Sequence, residues 1–306
     1  MMPASISLGY DGSPAATAAI EAGARLFPQA YAWVAHLWTP PFGSTSLRDR
    51  LWTGAERVDE FVEAVEREGR READRMAAVG VTLATAAGWT AEPLVVSSYG
   101  GEGIRFAELA ERVDADLALV GSRGLGGTRA VLGSVSDMVV HYTSRPVLVV
   151  PYPLVIDEFA ALAEGPVLVG YDGSAGAQAA LATAGRLFPT RTLLPATVQD
   201  GQVTGEAAHS PPAGNRVAAR LQLAGGQGPH GRSVAAALAG CARQRAAAVL
   251  VVGSRGRSAV REILLGSVAM AALHHAHLPV LVVHTASAGV EHEPAGTAAT
   301  QPAVAP

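Results

Sequence analysis

Short apolar runs alternate along this chain with longer segments in which apolar residues recur at helical spacing. Strands interleaved with helices in this way are typical of a parallel sheet that carries helices on both faces and has right-handed crossovers. The predicted strands lie at residues 6–8, 31–38, 94–97, 117–120 and 147–150, and again at 167–169, 193–198, 217–223, 249–252 and 280–283. The predicted helices cover residues 15–27, 55–87, 104–113, 175–188 and 234–245, and two more begin at Ser134 and Ser267.

The same motifs occur in the same order in both halves of the chain, which indicates a duplicated domain. They are Gly-Tyr-Asp-Gly-Ser at 9–13 and 170–174, Val-Gly-Ser-Arg-Gly at 120–124 and 252–256, Leu-Gly-Ser-Val at 132–135 and 265–268, and Pro-Val-Leu-Val-Val at 146–150 and 279–283. We therefore expect a first domain at residues 1–151, a joining segment at 152–165, a second domain at 166–285 and a disordered tail at 286–306.

The second copy is shorter than the first in its middle. The stretch from Asp172 to Gly253 is shorter than the equivalent stretch from Asp11 to Gly121, so residues are missing between these two motifs. The loss falls where the first copy has its long charged helix. In the second copy this place is taken by residues 200–215, which are rich in Gly, Pro and Ser and which we expect to form a loop or a disordered segment.

Composition excludes several classes of function. The 306 residues are 49% hydrophobic and carry a formal net charge of −4, and the basic residues are scattered, which argues against nucleic-acid binding. All 23 basic residues are arginine, so a lysine nucleophile, base or phosphate ligand is excluded. Because the N-terminus lacks a signal-peptide pattern and the apolar run at 146–156 is too short to span a bilayer, we expect a cytoplasmic protein without a membrane partner.

The motifs that end the predicted strands carry candidate nucleotide-binding chemistry. Ligands of an open parallel sheet bind beyond the carboxyl ends of its strands, where Asp172 and Gly253 fall. Glycine lets the backbone approach a phosphate, Ser267 opens a helix whose free amides favour an anion, and Arg255 adds a positive charge. Asp172 can accept hydrogen bonds from an adenine amino group or from ribose hydroxyls. The alternative is that the glycines only permit tight turns and that Ser267 only caps a helix, but all these features occur together and twice, which favours binding.

These motifs resemble those of the universal stress protein family, whose ATP-binding members carry Gly-x2-Gly-x9-Gly-(Ser/Thr). The second copy fits this pattern without a gap, at Gly253, Gly256, Gly266 and Ser267, and the likeness covers nearly the whole chain as two tandem domains. The resemblance implies, for each half, an α/β fold of the adenine nucleotide alpha hydrolase-like type, an open parallel five-stranded sheet of order 3-2-1-4-5 with helices on both faces. It implies ATP, alone or with Mg²⁺, as the ligand.

By position, the resemblance assigns ten nucleotide-binding residues to each half. In the first half they are Gly9, Asp11, Leu37, Val120, Gly121, Arg123, Gly124, Gly133, Ser134 and Val135. In the second half they are Gly170, Asp172, Val198, Val252, Gly253, Arg255, Gly256, Gly266, Ser267 and Val268. The family rests adenine against the backbone at the end of the second strand, where Leu37 and Val198 lie. The first copy departs from the family pattern, because only eight residues, 125–132, separate Gly124 from Gly133.

Three functions fit these residues: an ATP-binding module that signals its occupancy in a stress response, a slow ATPase, and a scaffold of the same fold that binds no nucleotide. Efficient phosphoryl transfer needs charge neutralisation, a positioned nucleophile and usually a metal ion. Each half offers one Arg and one Asp, so we assign no catalytic residue. The spacing of His274, His275 and His277 does not place three ligands on one helical face, so we assign no metal site either.

The last predicted strand of each half, at 147–150 and 280–283, consists only of Val and Leu. Such a strand is an aggregation hazard if it is left at the open edge of a sheet. Dimers of the family associate through these fifth strands, so the resemblance implies antiparallel pairing of the two within this chain. A homodimer of the whole chain is a further alternative.

Overall fold

The computed structural model describes residues 3–41, 57–122, 132–199, 217–218, 220–225, 229–255 and 265–285, which form ten strands and eight helices. The strands are β1 (Ser5–Gly9), β2 (Tyr31–Trp38), β3 (Thr90–Ser97), β4 (Leu117–Gly121), β5 (Val147–Val150), β6 (Val167–Gly170), β7 (Leu193–Gln199), β8 (Leu221–Ala224), β9 (Val249–Gly253) and β10 (Val280–Val283). The helices are α1 (Pro14–Leu26), α2 (Val58–Ala86), α3 (Glu102–Arg112), α4 (Ser134–Tyr142), α5 (Ile156–Glu164), α6 (Ala175–Leu187), α7 (His230–Gln244) and α8 (Ser267–His275).

All ten strands belong to one sheet, in the order β3-β2-β1-β4-β5-β10-β9-β6-β7-β8. Each half has the expected order 3-2-1-4-5 in parallel strands, since the second half reads β8-β7-β6-β9-β10. The two five-stranded sheets are joined into one, because β5 and β10 pair antiparallel, with Leu148 opposite Leu281. Each Val/Leu strand thereby satisfies the backbone groups that it would otherwise present at an edge.

The sheet is apolar on both faces, as expected for strands covered by helices on both sides. On one face, Ile6 and Val169 belong to a buried cluster that includes residues of α1, α5 and α6. On the other face, Val120 and Val252 belong to a cluster that includes residues of α3, α4, α7 and α8. Both clusters contain side chains from both halves, so the hydrophobic core runs without a break across the β5–β10 pair.

Helices α1 and α6 also meet over the β5–β10 pair. Phe27 and Phe188 occupy equivalent positions in the two halves, and their rings stack with centroids 5.1 Å apart.

The joining segment contains helix α5, which the sequence pattern did not predict. Arg191 donates hydrogen bonds to the carbonyl oxygens of Leu162 and Gly165 at the end of α5, at 2.6 and 2.8 Å. The joining segment is thus tied to the second half.

The two halves cover the equivalent tyrosines Tyr10 and Tyr171 in different ways. In the first half, α2 packs on Tyr10 through Gly80, where an added Cβ would lie 2.7 Å from the ring. In the second half, the guanidinium of Arg220 lies 4.6 Å from the ring centroid of Tyr171. The predicted loop at 200–215 and the predicted tail at 286–306 lie outside the described residues. In the described part of the chain, no helix has the length and apolar content needed to cross a membrane.

Candidate functional site

The turns that follow β1 and β6 have the same geometry. The Oδ1 atom of Asp11 accepts a hydrogen bond from the amide of Ser13 at 3.0 Å, and that of Asp172 accepts one from the amide of Ser174 at 2.9 Å. The glycine after each aspartate has a positive φ, of +79° or +82°, which side chains rarely adopt. Each aspartate side chain is therefore held in one orientation at the carboxyl edge of the sheet.

The serines of these turns cap the helices that follow. The hydroxyl of Ser13 accepts a hydrogen bond from the amide of Ala16, and that of Ser174 accepts one from the amide of Ala177, both at 3.1 Å. An N-cap of this kind satisfies amides that would otherwise be available to an anion. The starts of α1 and α6 are thus engaged by the protein itself.

Helices α4 and α8 begin without such a cap. Their N-cap residues are Gly133 and Gly266, both with φ of −64°, and no side chain caps either helix in the described part of the chain. Ser134 and Ser267 are the first residues inside these helices and are exposed, so the interpretation of Ser267 as only a helix cap is wrong. Uncapped amides and the positive end of the helix dipole together favour an anion.

The loops that lead into α4 and α8 are closed at their base by equivalent backbone hydrogen bonds. The amide of Gly133 donates to the carbonyl of Ser122 at 2.8 Å, and the amide of Gly266 donates to the carbonyl of Ser254 at 2.7 Å. The hydrogen bonds at the two bases agree although the first loop is one residue shorter than the second. Three predicted site residues, Arg123, Gly124 and Gly256, lie within these loops and outside the described residues.

The glycines that end β4 and β9 have a packing role that sequence reasoning missed. A Cβ on Gly121 would lie 2.6 Å from the carbonyl oxygen of Ala15, and a Cβ on Gly253 would lie 2.7 Å from that of Gly176. Real side chains do not tolerate such distances to backbone atoms. Glycine at these two positions therefore lets the first turns of α1 and α6 lie directly against the strand ends.

The remaining predicted residues fall at the same edge of the sheet in each half. Gly9 and Gly170 end β1 and β6, and a Cβ on either would lie 3.3 or 3.5 Å from the Cγ1 atom of the valine on the neighbouring strand, Val120 or Val252. The others lie at the ends of neighbouring strands or at helix starts. Leu37 and Val198 are the penultimate residues of β2 and β7, Val135 and Val268 are the second residues of α4 and α8, and Arg255 follows β9.

The two helix starts differ in charge. Helix α4 has Asp137 in its first turn, 3.7 Å from Nδ1 of His141, whereas the first turn of α8 holds no acidic residue. A carboxylate at a helix start competes with a bound anion for the same positive potential. The described residues of the second half also place the half-exposed Arg255 two residues beyond the end of β9. The second helix start is therefore the more favourable one for an anion.

His284 follows β10 and was not singled out by the sequence pattern. Its imidazole hydrogen bonds to the backbone carbonyl of Val140 in α4, while Nε2 is buried and has no hydrogen-bond partner among the described residues. Burial is the main cause that lowers the pKa of His284 to about 4, and the nearby charges of Arg255 and His141 lower it further. His284 is therefore neutral at pH 7. Its hydrogen bond to Val140 links the end of β10 in the second half to α4 in the first half.

Among the described residues, each edge offers backbone amides and one carboxylate, and the second half adds one guanidinium, all of them groups that can hold a ligand. Within the described ranges, His, Cys, Asp and Glu side chains form no group of three that could hold a metal ion. Burial raises the pKa of the thiol of Cys241, so this group is a poor nucleophile at neutral pH.

Comparison with known proteins identifies a matching family, a sequence relative and structural neighbours of this chain. The universal stress protein family matches it at residues 2–151 and 165–284. A universal stress protein of Mycolicibacterium smegmatis (strain ATCC 700084 / mc(2)155) is 33% identical over 187 residues, which are 55% of this chain and 62%, less than two thirds, of that relative. A universal stress protein from Archaeoglobus fulgidus DSM 4304 has a similar structure, with 18% identity and a TM-score of 0.60 over 93% of this chain and 99% of its own. A functionally unknown protein from Pseudomonas aeruginosa PAO1 shares the fold at 12% identity, with a TM-score of 0.50 over 92% of each chain.

Proposed function

This chain belongs to the universal stress protein family, and on that premise we propose that it binds ATP, alone or with Mg²⁺, at one site in each half. In this proposal the protein is a regulatory module in a stress response that reports the presence of nucleotide. It acts in the cytoplasm, as the sequence pattern predicts. Its two halves associate in solution through β5 and β10, so that a homodimer is not needed to cover these strands.

The observation that carries the proposal is an uncapped helix start built twice, each time behind a closed loop base. Gly133 and Gly266 bond to the strand ends in the same way although the loops differ in length. In the same molecule, α1 and α6 do have side-chain caps. Helices α2, α3, α5 and α7 also begin without a side-chain cap. The starts of α4 and α8 differ from these because each follows a closed loop base at the end of the strand next to β1 or β6, beside the aspartate turn, which suits a phosphate group.

Each part of ATP has a counterpart at this edge. The phosphates lie against the first amides of α4 or α8, with Arg255 as a further ligand in the second half. The ribose hydroxyls or the adenine amino group donate to Asp11 or Asp172, whose carboxylates the turns hold in place. The adenine ring rests against the backbone of Leu37 or Val198.

Binding fits these groups better than turnover does. Phosphoryl transfer needs a positioned nucleophile and neutralisation of charge on the transferred group. The described part of each half supplies one aspartate at the nucleoside end, and its other groups are amides and at most one arginine. We therefore propose a binding module, for which any hydrolysis of ATP is slow and incidental.

Calorimetric titration with ATP tests this proposal when the wild type is compared with Gly133→Val and Gly266→Val. A valine at either helix start fills the space that a phosphate needs. We expect two sites in the wild type, one in each single variant and none in the double variant, with unchanged circular dichroism. Gly240→Ala is the matched control, because an added Cβ there meets no atom within 4 Å. If the double variant binds ATP as the wild type does, the helix starts are not the site.

A further inference from the structure

In each half, a side chain of the second strand bonds to the carbonyl of the tyrosine that precedes the candidate nucleoside-binding aspartate. Nδ1 of His36 lies 2.8 Å from the backbone carbonyl oxygen of Tyr10. The hydroxyl of Thr197 donates a hydrogen bond to the backbone carbonyl oxygen of Tyr171 at 2.6 Å. Since a carbonyl only accepts, Nδ1 of His36 carries the proton. The two donors stand at the same place in the duplicated domain, because each follows its tyrosine at the same separation along the sequence.

This bond lies where the first two strands of each half separate. Strand β1 pairs with β2 up to Gly9, opposite Ala35, and the amide of Tyr10 adds one more bond to the carbonyl of Ala35 at 2.9 Å. Beyond Tyr10 the chain turns away into the aspartate turn, while β2 continues through Leu37. The second half repeats this, with a bond of 2.8 Å from the amide of Tyr171 to Ala196. This separation lies at the carboxyl edge of the sheet, the edge at which open parallel sheets bind their ligands.

Imidazole and hydroxyl have little in common beyond the ability to donate one hydrogen bond at this reach. The surroundings of the two tyrosines also differ, with α2 over Tyr10 and Arg220 over Tyr171. The bond to the carbonyl is nevertheless present in both halves. A contact that persists while its donor and its surroundings change points to a role at the feature that the halves share, which is the aspartate turn.

We propose that His36 and Thr197 are positioning residues of the two ATP sites. Each fixes the peptide bond that leads into the aspartate, while the amide of Ser13 or Ser174 fixes the carboxylate from the other side. The aspartate is thus held from both directions before the nucleotide arrives, and neither positioning side chain needs to touch the nucleotide. This inference rests on the proposed ATP function and adds to it the residues that orient the nucleoside end.

The first test is calorimetric titration with ATP of variants that remove or keep the bond. His36→Ala and Thr197→Val remove the donor, whereas His36→Thr and Thr197→Ser keep a hydroxyl at that position. Each variant is made with the opposite site closed, by Gly266→Val or Gly133→Val, so that one site is measured at a time. We expect affinity to fall five- to tenfold in the first pair, in line with about 1 kcal/mol for one hydrogen bond, and to stay within twofold in the second.

The second test measures hydrogen exchange at the amides of Ser13 and Ser174 in the absence of nucleotide. Exchange should be faster in His36→Ala and Thr197→Val and should return to the wild-type rate in His36→Thr and Thr197→Ser. If the wild type binds no ATP, the proposed function fails, and the exchange rates alone then decide whether the side chains hold the turns. Unchanged exchange rates overturn the positioning role. Altered exchange with unchanged ATP affinity shows that the bonds only stabilise the fold, which also overturns it.

Discussion

At the scale of single residues, each candidate nucleoside-binding aspartate has two duties that a substitution can separate. Its Oδ1 atom closes the turn by accepting a hydrogen bond from the amide two residues later. In the proposed site, its charge also attracts hydroxyl or amino groups of the nucleotide. Asparagine keeps an oxygen for the turn but loses the charge, because its side chain forms the same kind of turn. Alanine loses both the oxygen and the charge.

Asp172→Asn should therefore weaken ATP binding at the second site five- to tenfold and leave the unfolding midpoint in urea unchanged. The reason is that hydrogen bonds to a carboxylate exceed those to a neutral oxygen by about 1 kcal/mol. Asp172→Ala should also lower the free energy of unfolding, by about 1 kcal/mol. The measurements are calorimetric titration and urea denaturation. Wild-type affinity in Asp172→Asn would show that the charge of this aspartate does not contact the nucleotide.

His284 gives a pH dependence of stability. Its pKa in the folded protein is about 4, below the ordinary value of 6.5, so the unfolded chain takes up a proton first as the pH falls. The contribution of His284 to stability is therefore complete above pH 6.5 and is lost progressively as the pH falls towards 4. By linkage this amounts to about 3 kcal/mol at most.

Urea denaturation of the wild type and of His284→Gln at pH 7 and pH 4.5 measures this effect. We expect the wild type to lose about 2 to 3 kcal/mol more stability than His284→Gln over this range, because glutamine does not titrate. His141→Gln, which changes a neighbouring charge on α4, should behave like the wild type to within about 1 kcal/mol. Equal losses in the wild type and His284→Gln would contradict the buried, neutral imidazole.

At the scale of elements, the starts of α4 and α8 are two copies of one candidate anion site, with different charges in the first turn. Asp137 is the fourth residue of α4, and Met270 is the fourth residue of α8. A single charge in the first turn of a helix changes anion affinity by about 0.3 to 1 kcal/mol, and salt screens the effect. Changing the charge at these two positions therefore tests the candidate anion site without altering its glycines.

Asp137→Asn should raise the affinity of the first site for ATP two- to fivefold, and Met270→Asp should lower that of the second site by a similar factor. Both changes should shrink at high salt. The measurement is calorimetric titration at low and high ionic strength, with the opposite site closed by valine. If neither substitution changes affinity at low salt, the phosphates do not lie at these helix starts.

Hydrophobic patterning predicted most of the strands, because they are buried. The predicted limits 31–38, 147–150 and 280–283 agree with β2, β5 and β10. The patterning missed the first half of β3, since Glu92 and Pro93 interrupt the pattern there. Pairing with β2, from Tyr31 opposite Thr90 onwards, decides the conformation of this edge strand, and an edge tolerates proline. The predicted strand at 217–223 is β8 at Leu221–Ala224, with an isolated bridge from Val217 to Leu193.

The candidate site was predictable only in part for a similar reason. The Asp, Gly and Ser motifs mark strand ends and helix starts, which local sequence signals well. The approach of Gly121 to Ala15 and the bond from His36 to Tyr10 join residues that are far apart in sequence and of ordinary type. No local pattern announces such contacts, because they depend on how helices and strands pack in three dimensions.

At the scale of the whole molecule, the duplication gives one continuous sheet whose two halves are related by a pseudo-twofold axis. Each half has one candidate ATP site at the carboxyl edge of its strands. Pairing of β5 and β10 is antiparallel, so the carboxyl edges of the two halves point in opposite directions. Helix α4 begins at the first candidate site. Near its end, Val140 accepts a hydrogen bond from His284, which follows β10 at the carboxyl edge of the second half. The two sites are thus separate in space but share one core.

Native mass spectrometry of the intact chain with increasing ATP tests the proposed binding most directly, because it counts bound nucleotides. We expect a single chain to take up two ATP molecules, and Gly133→Val and Gly266→Val to take up one each. We also expect the second site to fill first, because α8 has no acidic residue in its first turn. A wild-type chain that remains free of nucleotide at millimolar ATP would show that neither half binds ATP.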